Sequence, residues 1–180
     1  MTLTRSARPI IMATINTDAQ RNGQPTKTRS YTVSNITIES LDELKSLSSG
    51  LNFDNRFSLY FIQCNETDHL AVFDLLKSKI NKPSILLTVP IDIDYLINEW
   101  YSEQMKSIPD NAAVFLHGLD VLMEDYQKRY DILSCLNWNR NAFLRENRPL
   151  VILGCKETLR LLANYAPDFY DYYTMVAVVE

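Results

Sequence analysis

Four short segments hold the residue types that could do chemistry. They are Cys64-Asn-Glu-Thr-Asp-His69, Pro90-Ile-Asp-Ile-Asp94, His117-Gly-Leu-Asp-Val121 and Gly154-Cys-Lys-Glu157. The most definite arrangement among them is a thiol with an imidazole. His117-Gly118 and Gly154-Cys155 each follow a short apolar run, so both could stand at the same end of neighbouring strands. The chemistry would be thiolate attack by Cys155 assisted by His117. The plainer alternative is a small Cys ending a buried strand and a His packed in a turn. Free Cys is commonly buried and inert, so the plainer reading is preferred. Cys64, with His69 five residues on, is a weaker pair still.

A caspase-like cysteine peptidase would place His-Gly after one strand and Cys after the next, so it stands as the alternative function, on His117 and Cys155. No residues that would form a specificity pocket accompany them. A third chemistry, nucleotide hydrolysis, is tested by the segment after the first sheet strand. A phosphate cradle there needs glycines for close backbone approach, then Lys and Ser/Thr. Cys64–His69 has no Gly and no Lys, and Glu66 and Asp68 would repel an anion. None of the chain's four glycines lies between Gly50 and Gly118. An Asp to hold magnesium would directly follow the third strand, and Asp120 comes three positions late. No cofactor and no metal site is expected.

The elements that would position these segments alternate in type. Ser40-Leu-Asp-Glu43 has the form of a capping box and Gly50 is a natural stop, which predicts a helix over Leu41–Ser49. Phe57–Gln63 reads as a buried strand. Glu66–Ile80 places Leu70, Phe73, Leu76 and Ile80 on one helical face. Ser84–Val89 is the next strand. Asp92 can cap a helix with Ile93, Leu96, Ile97, Trp100 and Met105 on its face. Ala112–Leu116 is a third strand, Tyr130–Asn147 a long helix, Pro149–Leu153 a fourth strand, Glu157–Tyr165 a helix and Thr174–Val179 a last strand. The Tyr- and Phe-rich stretch 165–173 is expected to pack the final crossover. Strands apolar on both faces and separated by helices predict a mainly parallel five-stranded sheet in a three-layer α/β sandwich. Ligands in such sheets bind beyond the carboxyl ends of the strands, where all four segments fall.

Composition narrows the class. The chain has 180 residues, 46% hydrophobic and 22% charged, a soluble globular balance. No apolar run approaches the roughly 18–20 residues of a membrane span. Three cysteines, an odd number without zinc-like spacing, fit a reduced cytoplasmic setting. The net charge of −4 argues against nucleic acid as a partner. Charge is uneven, however. Residues 1–36 carry five cations (Arg5, Arg8, Arg21, Lys27, Arg29) against Asp18, hence +4, and the remainder carries 13 basic and 21 acidic residues, hence −8. The expected organisation is a basic arm over 1–36 and one α/β domain over 37–180. The arm would attach through Arg5 and Arg8, with Ile10 and Ile11 as apolar anchors. Trp138 and Arg140 are further interaction candidates.

The stretch from Ala112 to Tyr173 resembles a known family. Its quoted residues are Ala113-Val-Phe-Leu-His-Gly-Leu119, Leu136-Asn-Trp-Asn-Arg140, Arg148-Pro-Leu-Val-Ile-Leu153, Leu159–Leu162 and Ala166-Pro-Asp-Phe169. These are similar to the later half of the nucleotide-binding-type domain of bacterial STAND proteins, in the forms called inactive STAND modules. The resemblance covers about a third of the chain, and Tyr170 stands where the family shows Trp. It implies a P-loop NTPase-like fold with a degenerate nucleotide site and no catalytic residue. It further implies a non-catalytic adaptor in bacterial signalling or anti-phage defence. The partners would be other protein subunits, effector or sensor, or a second copy in a homo-oligomer, with no membrane involved.

Overall fold

In the computed structural model, residues 37–93 and 96–179 are described. The arm with Arg5, Arg8, Ile10 and Ile11, and also Asp94, lie outside the described residues. Five strands form the sheet: β1 (Ser58–Gln63), β2 (Ser84–Thr88), β3 (Ala113–His117), β4 (Pro149–Gly154) and β5 (Tyr173–Val178). Their order is β2-β3-β4-β1-β5, and every pairing is parallel.

Both faces of the sheet are apolar because alternate side chains point to opposite sides. Leu59, Phe61, Val114, Leu116, Leu150 and Ile152 feed one core. Tyr60, Ile62, Ala113, Phe115, Val151 and Leu153 feed the other. The first core is covered by α3 (Ile97–Met105), α4 (Leu119–Glu124), α5 (Tyr126–Trp138), α6 (Arg140–Arg145), α7 (Lys156–Tyr165) and α8 (Pro167–Tyr170). The second is covered by α1 (Ile38–Phe53) and α2 (His69–Lys77). The expected three-layer sandwich is therefore the observed one. Strand order explains the uneven cover. Only the connection from β1 to β2 runs toward the β2 edge, so a right-handed crossover puts α2 alone on its face. The other three crossovers run back the opposite way and must use the other face. Helix α1 precedes the sheet and fills the space beside α2.

Several element boundaries differ from expectation. Thr37, not Ser40, caps α1, accepting from Ser40 N at 3.2 Å. Glu43 does not close a capping box but accepts a hydrogen bond from Val178 N, tying α1 to β5. Gly50 lies within α1, not after it. A Cβ there would sit 2.8 Å from the Tyr60 hydroxyl, so the helix needs Gly for close packing rather than for stopping. The helix expected from Glu66 opens with a 3-10 turn, Glu66–Asp68, before α2. Leu70 is 38% exposed, and the buried stripe is His69, Val72, Phe73 and Leu76. Asp92 lies in a turn, and the N-cap of α3 is Leu96, with the helix beginning at Ile97. The long helix expected over 130–147 is instead two, the later part of α5 and all of α6. Helix α5 starts four residues earlier than expected, because Asp125 caps it by accepting from Gln127 N and Lys128 N at 2.9 and 3.0 Å. Asn139 leaves helical geometry and ends α5.

The aromatic stretch does pack the last crossover. Tyr170 stacks on Phe61 at 4.8 Å, and Phe169 meets Phe143 at 5.2 Å. Among the described residues, no helix is long and apolar enough to cross a membrane.

Candidate functional site

Strands β1 and β4 are neighbours, but their chains leave toward opposite faces, into α2 and α7. Their carboxyl ends therefore part, and a crevice opens between them, the usual ligand position in such sheets. Its floor is Cys64, whose N–H bonds the Gly154 carbonyl at 3.1 Å. His69 enters from the first turn of α2, and Thr158 from the first turn of α7. Asp120 enters from α4, which can start at once after β3 because Gly118 turns the chain with φ 93°, a left-handed value that favours Gly.

Asp120 is the hub. One carboxylate oxygen accepts the Cys155 N–H at 3.0 Å and also the Thr158 hydroxyl. The first turn of α7 is thus capped by a carboxylate from another element, while Cys155, at the N-cap, makes no side-chain cap bond. A negative group already occupies the place an incoming anion would take. The other oxygen faces His69 Nε2 at 3.4 Å, without hydrogen-bond geometry. The His69 ring is only 1% exposed and meets His117 edge-on, centroids 6.2 Å apart. Burial holds the His69 imidazole below its ordinary pKa, against the opposing pull of Asp120, Glu66, Asp68 and the Cys64 carbonyl. Burial and then His69 do the same to His117.

The thiol–imidazole pair is not assembled. His117 Nε2 bonds Thr88 Oγ1 at 2.7 Å, across to β2 and away from β4. Cys155 Sγ faces Thr158 Oγ1 at 3.5 Å. The peptidase alternative on His117 and Cys155 therefore finds no support in the geometry. Burial, then Asp68, Asp120 and Cys155, push the Cys64 thiol up to about 12, which makes it a poor nucleophile. Among the described residues, no three His, Cys, Asp or Glu side chains come together to hold a metal ion.

In the sequence, His69 stands only as a weak partner for Cys64 and Asp120 only as a late magnesium ligand, and nothing there brings the two together. Asp120 sits too late for a strand-end magnesium ligand, yet one helical turn brings it over the crevice. The signal available for His69 was its position i−4 to Phe73 on an otherwise apolar stripe.

The interaction candidates separate in space. Trp138 is 80% exposed. Arg140 is engaged within the chain, donating to the Asn137 carbonyl at 3.0 Å and pairing with Asp168 at 3.5 Å. Asn137 Oδ1 accepts from Asp168 N and Phe169 N at 2.8 and 3.3 Å. The segments Leu136–Arg140 and Ala166–Phe169 thus form one bolt between α5 and α8.

No protein-family model matches the chain, and no curated protein matches it. Among solved structures, a chain of the Thermotoga maritima RuvB Holliday junction branch migration motor is similar, 10% identical at TM-score 0.48. The likeness covers 81% of this chain and 46% of that one, so this chain spans about half the length of its counterpart.

Proposed function

We propose that the protein is a non-catalytic, P-loop-like adaptor module of a bacterial signalling or anti-phage defence system, working in the cytoplasm by assembling other protein subunits. The observation that carries this reading is the filled crevice. The place for a phosphate is taken by the chain's own Asp120 carboxylate and His69 ring, beside the acidic loop Cys64–His69. Such an arrangement serves rigidity rather than anion binding, because like charges repel and a buried acid already satisfies the α7 N-terminus. The STAND-like motifs support it from a second side, since in this structure their residues act as bolts between elements. Exposed Trp138 offers a contact surface, and the basic arm offers an attachment.

Two measurements on the full chain test the proposal. Titration calorimetry with Mg-ATP is expected to give no saturable binding, and a one-to-one isotherm refutes the non-catalytic part. Size-exclusion chromatography with light scattering, with and without the product of the adjacent gene, is expected to show a complex. Deleting residues 1–35 is expected to weaken it. A monomer in every condition refutes the adaptor part.

A further inference from the structure

The chain's three cysteines are free thiols, and two of them meet at the floor of the crevice. Strands β1 and β4 pair in register as far as Gln63 opposite Gly154. The bond from Cys64 N to the Gly154 carbonyl at 3.1 Å carries the ladder past that pair, so Cys64 and Cys155 are the next two residues to stand opposite. Cys155 is still extended there, φ −69° and ψ 166°, before α7 begins. Alternation puts the two on one side of the sheet. Tyr60, Ile62 and Cys64 of one chain segment and Val151 and Leu153 of the other all feed the core under α1 and α2, and Cys155 continues that series. Paired strands lie about 4.7–4.9 Å apart, inside the roughly 4.4–6.8 Å between Cα atoms that a disulfide spans. The Cys155 thiol is near enough to act electrostatically on Cys64. Exposure separates them: Cys64 is 4% exposed, and Cys155 is half-exposed. The Cys155 sulfur rests on Thr158 Oγ1 at 3.5 Å, a weak hydrogen bond that costs little to leave. Cys135 is held elsewhere, on α5, with its sulfur on Asn98 Oδ1 at 2.9 Å.

We propose that this pair is an oxidation site: a small neutral hydroperoxide oxidises Cys155, and Cys64 then closes a disulfide between β1 and β4. In the first step the Cys155 thiolate attacks a peroxide oxygen and the O–O bond breaks. Cys155 becomes a sulfenic acid, and the peroxide is reduced to water or an alcohol, which takes up the proton Cys155 gave up. In the second step the Cys64 sulfur attacks the Cys155 sulfur. The S–S bond forms, the S–O bond breaks, and the hydroxyl leaves as water with the Cys64 proton. The oxidant is neutral because Glu66, Asp68 and Asp120 act on the crevice and repel an anion. Exposure sets the order of the steps, since Cys64 is shielded from the oxidant. With a pKa of about 12, only about one Cys64 thiol in 10⁵ is ionised at pH 7. An attack held in place by the sheet has an effective concentration of about 10⁵ M or more, which offsets that fraction. A transient bond of this kind is the form disulfides take in reduced compartments. The proposal does not rest on the adaptor reading, since its test measures neither nucleotide binding nor assembly.

Peroxide treatment of the full chain tests it. Hydrogen peroxide is added to the native protein, remaining thiols are alkylated under denaturing conditions, and the digest is read unreduced by mass spectrometry. The expected product is a Cys64–Cys155 link within one chain, reversed by dithiothreitol, with Cys135 still a thiol. Cys155→Ser is expected to leave Cys64 reduced. Cys64→Ala is expected to leave Cys155 as a sulfenic acid that dimedone traps. Circular dichroism checks folding, and if one variant does not fold the other decides. In urea, where nothing holds the pair together, links should scatter among all three cysteines. Absence of the native link overturns the proposal, whether Cys155 stays reduced or goes on to sulfinic acid. So does a link through Cys135, a link between chains, or the same Cys64–Cys155 preference in urea.

Discussion

Replacing Asp120 by Ala strands two buried donors at once. The Cys155 N–H loses its acceptor at 3.0 Å, and the Thr158 hydroxyl loses the same oxygen. An unsatisfied buried group costs about 1–3 kcal/mol. The backbone N–H is fixed in α7 and belongs at the upper end. The hydroxyl can turn toward Cys155 Sγ at 3.5 Å and belongs at the lower end. The expected loss is therefore about 3 kcal/mol, or roughly 6–12 °C in Tm for a chain of this size. Asp120→Asn keeps one oxygen for the two donors and turns an amide toward His69, so it should cost only about 1 kcal/mol. Thr158→Val removes one donor while keeping shape. The double variant Asp120→Ala/Thr158→Val should therefore lose less than the sum of the two, by about 1 kcal/mol. Urea unfolding followed by circular dichroism, near pH 8 where both histidines are neutral, measures all four. A loss below about 0.5 kcal/mol for Asp120→Ala, or strict additivity in the cycle, refutes the hub.

Stability should fall as pH drops below about 6.5, because the pKa values of His69 and His117 are lowered on folding and the unfolded chain then binds protons the folded one refuses. His69→Gln should reduce that slope, by at most about 1.4 kcal/mol per pH unit, and an unchanged pH profile contradicts the burial argument. In native protein, iodoacetamide should modify half-exposed Cys155 well before buried Cys64, read by mass spectrometry, and early labelling of Cys64 would contradict its raised pKa. Phe143→Ala should cost about 3–5 kcal/mol, since its ring fills the space between Tyr101 at 4.6 Å and Phe169 at 5.2 Å; a loss under about 1 kcal/mol would mean the site collapses freely.

The sheet was legible because its strands are short apolar runs bounded by polar loops, and Phe57–Gln63 or Pro149–Leu153 can be little else. Helix limits were less legible, because they depend on contacts between elements. Gly50 looks like a stop until Tyr60 packs on it, and Tyr130–Asn147 looks continuous until Asn139 sets the break. The site was the least legible part. Periodicity marks what is apolar, and His69 interrupts the stripe that buries it. Asp120 belongs to the crevice only because α4 starts immediately after β3, a turn that Gly118 permits and that spacing alone does not announce.

The bond from Val178 N to Glu43 has a topological consequence. Helix α1 runs back along the sheet, its last turns reaching the start of β2 through Asn52, which binds Asn81 N at 2.7 Å. Its first residue therefore stands beyond the end of β5, about 7.5 Å up the helix from Glu43. Residues 37 and 179 therefore both stand toward one rim of the body. Two tethers attached there would suspend the body like a pendant from a host chain, and tension between them would peel α1 from β5 one contact at a time instead of shearing the sheet. Joining the two ends by a short loop and opening the chain at the exposed turn near Ile91 should accordingly leave the fold intact.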